Sequence, residues 1–217
     1  MHIYEGVLAG TLQGQSLLLA GAAAAAVGTA VGLRKLDYDR VPQVAVLSAA
    51  FFVASLIHVP LGPTSVHLVL SGLLGLVLGW AAFPAVLIAL VLQAVFFSFG
   101  GPTTLGLNTL VMALPGVVCY YLFHSAVRNG SEPWVFAAGF AAGATAIILG
   151  ASLTAAVLML AGKQFEVCAT MVLVGYLPLV LIEGFVTGSV VVLVRKVRPE
   201  LLDAPLLTSL HPETSDA

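Results

Sequence analysis

From Val41 to Val127 the chain reads VPQVAVLSAAFFVASLIHVPLGPTSVHLVLSGLLGLVLGWAAFPAVLIALVLQAVFFSFGGPTTLGLNTLVMALPGVVCYYLFHSAV, 87 residues without one Asp, Glu, Lys or Arg. A water-soluble domain covers its surface with solvated groups and cannot leave so long a stretch neutral. The remaining residues add little charge. The 217-residue chain carries only 8 Lys and Arg and 10 Asp and Glu, and 60% of it is apolar. These values exclude a disordered chain, and a net charge of -2 excludes the basic surface that a nucleic-acid binder needs. The apolar runs are continuous rather than alternating, which points to membrane helices and away from an outer-membrane barrel.

A single helix of the neutral stretch would be ~130 Å long, several times the bilayer core. The stretch must therefore fold back, and Pro60-Leu-Gly-Pro63, Phe83-Pro84 and Gly100-Gly-Pro102 are its breaks. Four spans result, at 42–59, 67–82, 85–99 and 108–126. An alanine-rich span at 12–33 precedes them, and spans at 134–162 and 167–194 follow. The reading is an all-α polytopic membrane protein with seven transmembrane helices, its N-terminus outside and its C-terminus cytoplasmic. That topology gathers Arg34, Lys35, Arg40, Arg128, Arg195, Lys196 and Arg198 on the inner side and leaves Lys163 outside, a strong positive-inside bias. Residues 1–194 form one membrane domain, opened by a segment at 1–11, and 195–217 form a polar cytoplasmic tail. The segment ahead of the first span holds Glu5 and no Lys or Arg, unlike the basic start of a secretory leader. Cys119 and Cys168 lie inside apolar runs and have neither CxxC spacing nor a disulfide framework.

Polar groups at membrane depth are costly, so the few present are candidates for function. The topology brings His2, His58 and His67 to the outer face from three chain segments, and leaves His124 near the inner end of its span and His211 in the tail. Neutral imidazole is a common metal ligand. With Met1 retained, the Met1 amine, the His2 amide nitrogen and the His2 imidazole can chelate one ion in fused rings. A fourth nitrogen from another histidine completes a square, which suits Cu(II) or Ni(II) better than Zn(II). With almost no carboxylate nearby except Glu5, nitrogen donors also disfavour Mg²⁺ and Ca²⁺.

Met1-His-Ile-Tyr-Glu-Gly6, His58-Val-Pro-Leu-Gly-Pro-Thr-Ser-Val-His67-Leu, Gly100-Gly-Pro-Thr-Thr-Leu-Gly-Leu-Asn108 and Glu183-Gly-Phe-Val-Thr-Gly188 resemble the NikM/CbiM family, with the Ser-Val-His loop closest to NikM-type members. These are the nickel/cobalt-binding S components of energy-coupling factor (ECF) transporters. The resemblance implies Met1, His2 and His67 as ligands and Ni(II), with Co(II) the alternative, as the transported substrate. It implies uptake driven by ATP through an ECF-type transmembrane coupling subunit, cytoplasmic ATPase subunits and a small accessory membrane subunit, in the cell's cytoplasmic membrane. Glu5, His58, Thr103, Thr104 and Asn108 are within topological reach of the same face as groups that could orient the ligands. In S components an alanine-rich face contacts the coupling subunit. Here Ala22, Ala26 and Ala30 recur every four residues, a spacing that permits close helix contact and serves internal packing equally well.

The chain holds no G-x-x-x-x-G-K-[ST] phosphate loop, no H-E-x-x-H and no nucleophile–base motif. It is therefore read as a non-enzyme whose energy comes from its partners. Glu183 is the one acid within a span. It serves a structural hydrogen bond or, in the alternative of a self-sufficient secondary metal transporter, a proton relay. Gln93 is read as structural.

Overall fold

The computed structural model describes residues 2–56, 58–61 and 64–202. Seven α-helices account for most of it: α1 (Leu12–Arg34), α2 (Val41–Ala54), α3 (Ser71–Leu78), α4 (Ala82–Phe97), α5 (Leu105–Asn129), α6 (Glu132–Ala161) and α7 (Glu166–Val197). Among the described residues five stretches are long and apolar enough to cross a membrane: Leu12–Arg34, Ser71–Phe97, Leu105–Asn129, Glu132–Ala161 and Lys163–Val197. α1 begins where Thr11 accepts a bond from the Gly14 N–H at 3.0 Å, an N-cap at the first apolar turn.

The expected spans at 42–59 and 67–82 are shortened by a feature the sequence reading did not contain. α2 stops at Ala54, and the chain forms an antiparallel hairpin of β1 (His58–Leu61) and β2 (Thr64–His67), with His58 opposite His67. Pro60 explains the switch. It cannot donate to a helical ladder, and it biases Val59 toward extended backbone. α3 starts only at Ser71.

Ser71–Phe97 is not one rod. A straight helix of that length would separate its ends by ~40 Å, yet the rings of His67 and Phe99, just beyond either end, lie 4.7 and 6.0 Å from the His2 ring. The chain reverses at Gly79, whose φ of +56° and ψ of −125° suit glycine. α3 is buried along its whole length between α5, α6 and α7. At Gly75 a Cβ would sit 1.9 Å from the Gly116 carbonyl oxygen, so α3 and α5 pack backbone to backbone.

The two ends of the bundle differ in chemistry. At one end Arg40 donates to the Val77 and Leu201 carbonyls at 3.2 and 3.3 Å, and Gln43 to the Leu201 carbonyl at 2.8 Å. His124 reaches the Leu202 carbonyl at 2.6 Å, Arg195 donates to Gly130 and Lys196 pairs with Glu132. The bonds to Leu201 and Leu202 hold the 3₁₀ turn Pro199–Leu202 under the bundle, and those of Arg195 and Lys196 tie α7 to the start of α6. Of the expected tail, residues 203–217, including His211, lie outside the described residues. The opposite end carries the hairpin, the N-terminal segment and the glycine loop before α5.

Candidate metal site

The N-terminal segment is stitched into the bundle by an amide that imitates a strand. Asn108, near the start of α5, accepts from the Ile3 N–H at 2.9 Å and donates to the Ile3 carbonyl at 3.1 Å, as a neighbouring peptide would. On its other side Ile3 bridges Thr64 of β2, so the segment lies between the hairpin and α5. Glu5 continues the attachment: its N–H donates to the Gly100 carbonyl at 3.0 Å, and its carboxylate accepts from the Thr103 N–H at 3.1 Å and from the Thr103 hydroxyl. Thr104 accepts from Asn108 at 3.3 Å and donates to the Gly101 carbonyl at 3.3 Å. Glycine is required beside it. Gly100 has φ +71°, and a Cβ there would stand 3.0 Å from the Asn108 amide nitrogen and 3.8 Å from His2 Nδ1.

This stitching places the His2 imidazole against that of His67, with centroids 4.7 Å apart and planes at 26°. His67 is aimed by its own surroundings. Its Nδ1 lies 2.8 Å from the Leu68 carbonyl, so Nδ1 carries the proton and Nε2 is the acceptor nitrogen suited to a metal. The His67 N–H donates to the Tyr176 hydroxyl at 3.4 Å, which donates in turn to the Ser65 carbonyl at 3.2 Å. Two residues on, the Glu183 carboxylate accepts from the backbone N–H of Val69 and of Leu70, the latter at 2.8 and 3.0 Å. It thereby caps α3 through a residue held at φ +55°. Glu183 is thus engaged in a structural bond, one of the two roles open to it from sequence.

Both His2 ring nitrogens are buried without a hydrogen-bond partner among the described residues, and so are Gln93 Oε1, Thr64 Oγ1 and Ser65 Oγ. Buried polar atoms normally have partners, and His2 brings two unpartnered nitrogens against the ring of His67, as a group poised to receive a ligand does. Burial holds both His2 and His67 well below the ordinary histidine pKa, which keeps their lone pairs available to a cation. Among the described residues no group of three His, Cys, Asp or Glu side chains converges to hold a metal.

His58 lies across the hairpin from His67, its Nδ1 3.1 Å from the Leu56 carbonyl and its ring edge-on to Phe99 at 4.3 Å. Met1 lies outside the described residues. Glu5, Thr103, Thr104 and Asn108 come together as the scaffold of the N-terminal segment. Ala22, Ala26 and Ala30 lie away from the site on an exposed face of α1, with the Ala22 main chain touching Gly106. The helix packs inward through Gly21, Ala25, Gly28 and Gly32 instead. Sequence reasoning missed Tyr176, Ser55 and the position of Gln93 beside His2. An isolated amide in an apolar span was the available signal for Gln93, and nothing in the sequence tied it to the histidines.

A family of cobalt uptake substrate-specific transmembrane regions (CbiM) matches residues 2–201. The chain is 44% identical over 209 residues to a putative metal transport protein of Haemophilus influenzae, covering 94% of this chain and 97% of that one. It is 39% identical over 121 residues to the fused nickel transport protein NikMN of Rhodobacter capsulatus, covering 51% of this chain and 35% of that one. A crystal structure of a transition metal transporter superposes with a TM-score of 0.72 at 26% identity, covering 91% of this chain and 93% of that one.

Proposed function

The chain belongs to the family of cobalt uptake substrate-specific transmembrane regions, and from that premise we propose that it binds Ni(II), in preference to Co(II), at the His2–His67 end as the first step of uptake. It is a membrane component of nickel/cobalt transport rather than an enzyme. The observation that carries the proposal is the pairing of two buried imidazoles. With metal–nitrogen bonds of about 2 Å each ring centroid lies ~3 Å from the ion, so rings bound at adjacent corners of a square lie ~4.4 Å apart and rings at opposite corners ~6 Å. The 4.7 Å separation fits adjacent corners. That is where His67 must stand if the Met1 amine, the His2 amide nitrogen and His2 Nδ1 take the other three. Four nitrogens in a plane favour Ni(II).

The same proposal sets the histidine end outside the cytoplasmic membrane and the arginine-rich end inside. Residues 1–194 act as one membrane domain and 195–217 as a cytoplasmic tail. Without a phosphate loop of its own, the chain works with an ECF-type coupling subunit, cytoplasmic ATPases and a small accessory membrane subunit. The exposed Ala22, Ala26 and Ala30 face is offered for the coupling subunit. The hydrogen bonds of Glu183 to Val69 and Leu70 favour this reading over a self-sufficient carrier that uses Glu183 as a proton relay.

Calorimetric titration of the purified protein with Ni(II) and Co(II), alone and in competition, tests the site. Wild type should bind Ni(II) tightly at one equivalent and prefer it to Co(II). A variant with residues added ahead of Met1 should lose this, because its amine becomes an amide. An extended variant that still binds Ni(II) as tightly overturns the chelate.

A further inference from the structure

A buried amide stands beside His2 with its own acceptor unpaired. The Gln93 side chain lies within hydrogen-bonding reach of the His2 ring. Yet both His2 ring nitrogens and Gln93 Oε1 are buried and lack a hydrogen bond of normal geometry among the described residues. The orientation of the Gln93 amide is set from behind. Its Nε2 donates to Ser55 Oγ, and the Ser55 hydroxyl donates to the Phe52 carbonyl at 2.9 Å. With its nitrogen held at the α2 end, the amide keeps its carbonyl oxygen as an unpaired acceptor. The main chain of Gln93 is tied to the same region, its carbonyl accepting from the Phe99 N–H at 3.3 Å, and the Phe99 ring lies 6.0 Å from that of His2.

The chemistry of the proposed chelate gives that oxygen a task. Only Nδ1 of His2 can close a ring with the amide nitrogen of the same residue, because Nε2 points away from its own main chain. Metal at Nδ1 requires the proton on Nε2, and a buried Nε2–H requires an acceptor. We propose that Gln93 is a positioning residue whose carbonyl accepts the Nε2–H of His2 and so presents Nδ1 to the metal, with Ser55 preventing the amide from flipping. The inference rests on His2 being a ligand, as proposed above. A neutral acceptor at this place strengthens the imidazole as a donor without adding charge to the site.

The experiment is ¹⁵N NMR of histidine-labelled, metal-free full-length protein, combined with Ni(II) titration. The His2 signals are assigned by their loss in His2→Ala. Wild type should show the tautomer protonated at Nε2. Gln93→Leu should lose that preference and bind Ni(II) ~10–100-fold more weakly with an unchanged melting profile, and Gln93→Glu, which keeps the acceptor, should restore both. Ser55→Ala should give the same change in smaller measure, and it carries the test if Gln93→Leu does not fold. A wild-type His2 protonated at Nδ1 overturns the inference, as does a Gln93→Leu or Ser55→Ala protein with unchanged tautomer and affinity. Because the tautomer is read without metal, the two proposals separate. A Gln93-dependent tautomer in a protein that binds no nickel supports the pairing and sinks the metal-site reading.

Discussion

His67 and His124 sit at opposite ends of one bundle with almost equal burial, 2% and 5% exposed, and the structure uses them in opposite ways. His67 spends its near nitrogen on the carbonyl of the next residue and turns its ring face to His2. His124 spends its far nitrogen on Leu202, 78 residues away, and helps fasten the chain beyond α7. Against His67 both ring nitrogens of His2 stand without partners among the described residues. Around His124 the carbonyls of Leu201 and Leu202 are met by Arg40, Gln43 and His124 itself. Burial alone does not identify a ligand site; the state of its hydrogen bonds does.

The contrast is broken most directly at its centre. His67→Ala should weaken Ni(II) binding by more than ~100-fold, a larger loss than orienting groups give, and His124→Ala should leave it unchanged. Equal losses in the two titrations would erase the distinction between the ends. Next comes the support of the His67 loop. Glu183→Ala strands the N–H groups of Val69 and Leu70 and should destabilise the bundle by ~3 kcal/mol, read as a fall in melting temperature in detergent. A Glu183→Ala protein as stable as wild type would show that α3 needs no cap.

Acid should separate the ends more gently. The depressed pKa of His2 and of His67 means that the unfolded chain takes up protons first as pH falls below about 6.5. Stability should therefore be full above that pH and drain away toward the lower folded values. The melting temperature of wild type between pH 7.5 and 5 should fall more than that of a His2→Ala/His67→Ala protein. Parallel curves would mean that neither histidine is held neutral by burial. The smallest effect is expected on the exposed face of α1. Ala26→Leu should change the stability of the isolated chain by less than ~0.5 kcal/mol and leave nickel binding intact, while weakening co-purification with a coupling subunit. Unchanged co-purification would assign that face to lipid.

The neutral stretch was enough to identify a helical membrane protein, because the energetics of lipid allow few alternatives. His2 and His67 stood out as candidates for a related reason: histidine is rare in such a chain, and both fall in the segments that carry the family resemblance. The hairpin was not legible. His58-Val-Pro-Leu-Gly-Pro63 reads as a helix break, but whether the chain then turns as a loop or pairs as strands depends on Ile3 and Tyr176, 61 and 109 positions from Thr64 and His67. The break between α3 and α4 was legible but misplaced: it was expected at Phe83-Pro84, which the first turn of α4 accommodates, and it falls at Gly79 instead.

Sequence by itself determined the solvent, the helical class, the basic asymmetry of the two ends and the residue types able to hold a late transition metal. These follow from composition and spacing, which act locally. Tertiary structure alone decided that Asn108 would serve as a strand for Ile3, that Glu183 would cap α3, and that Gln93 and Ser55 would stand behind His2. Each joins residues distant along the chain, and such a pairing exists only once packing has removed water and left each buried donor to find an acceptor within the protein.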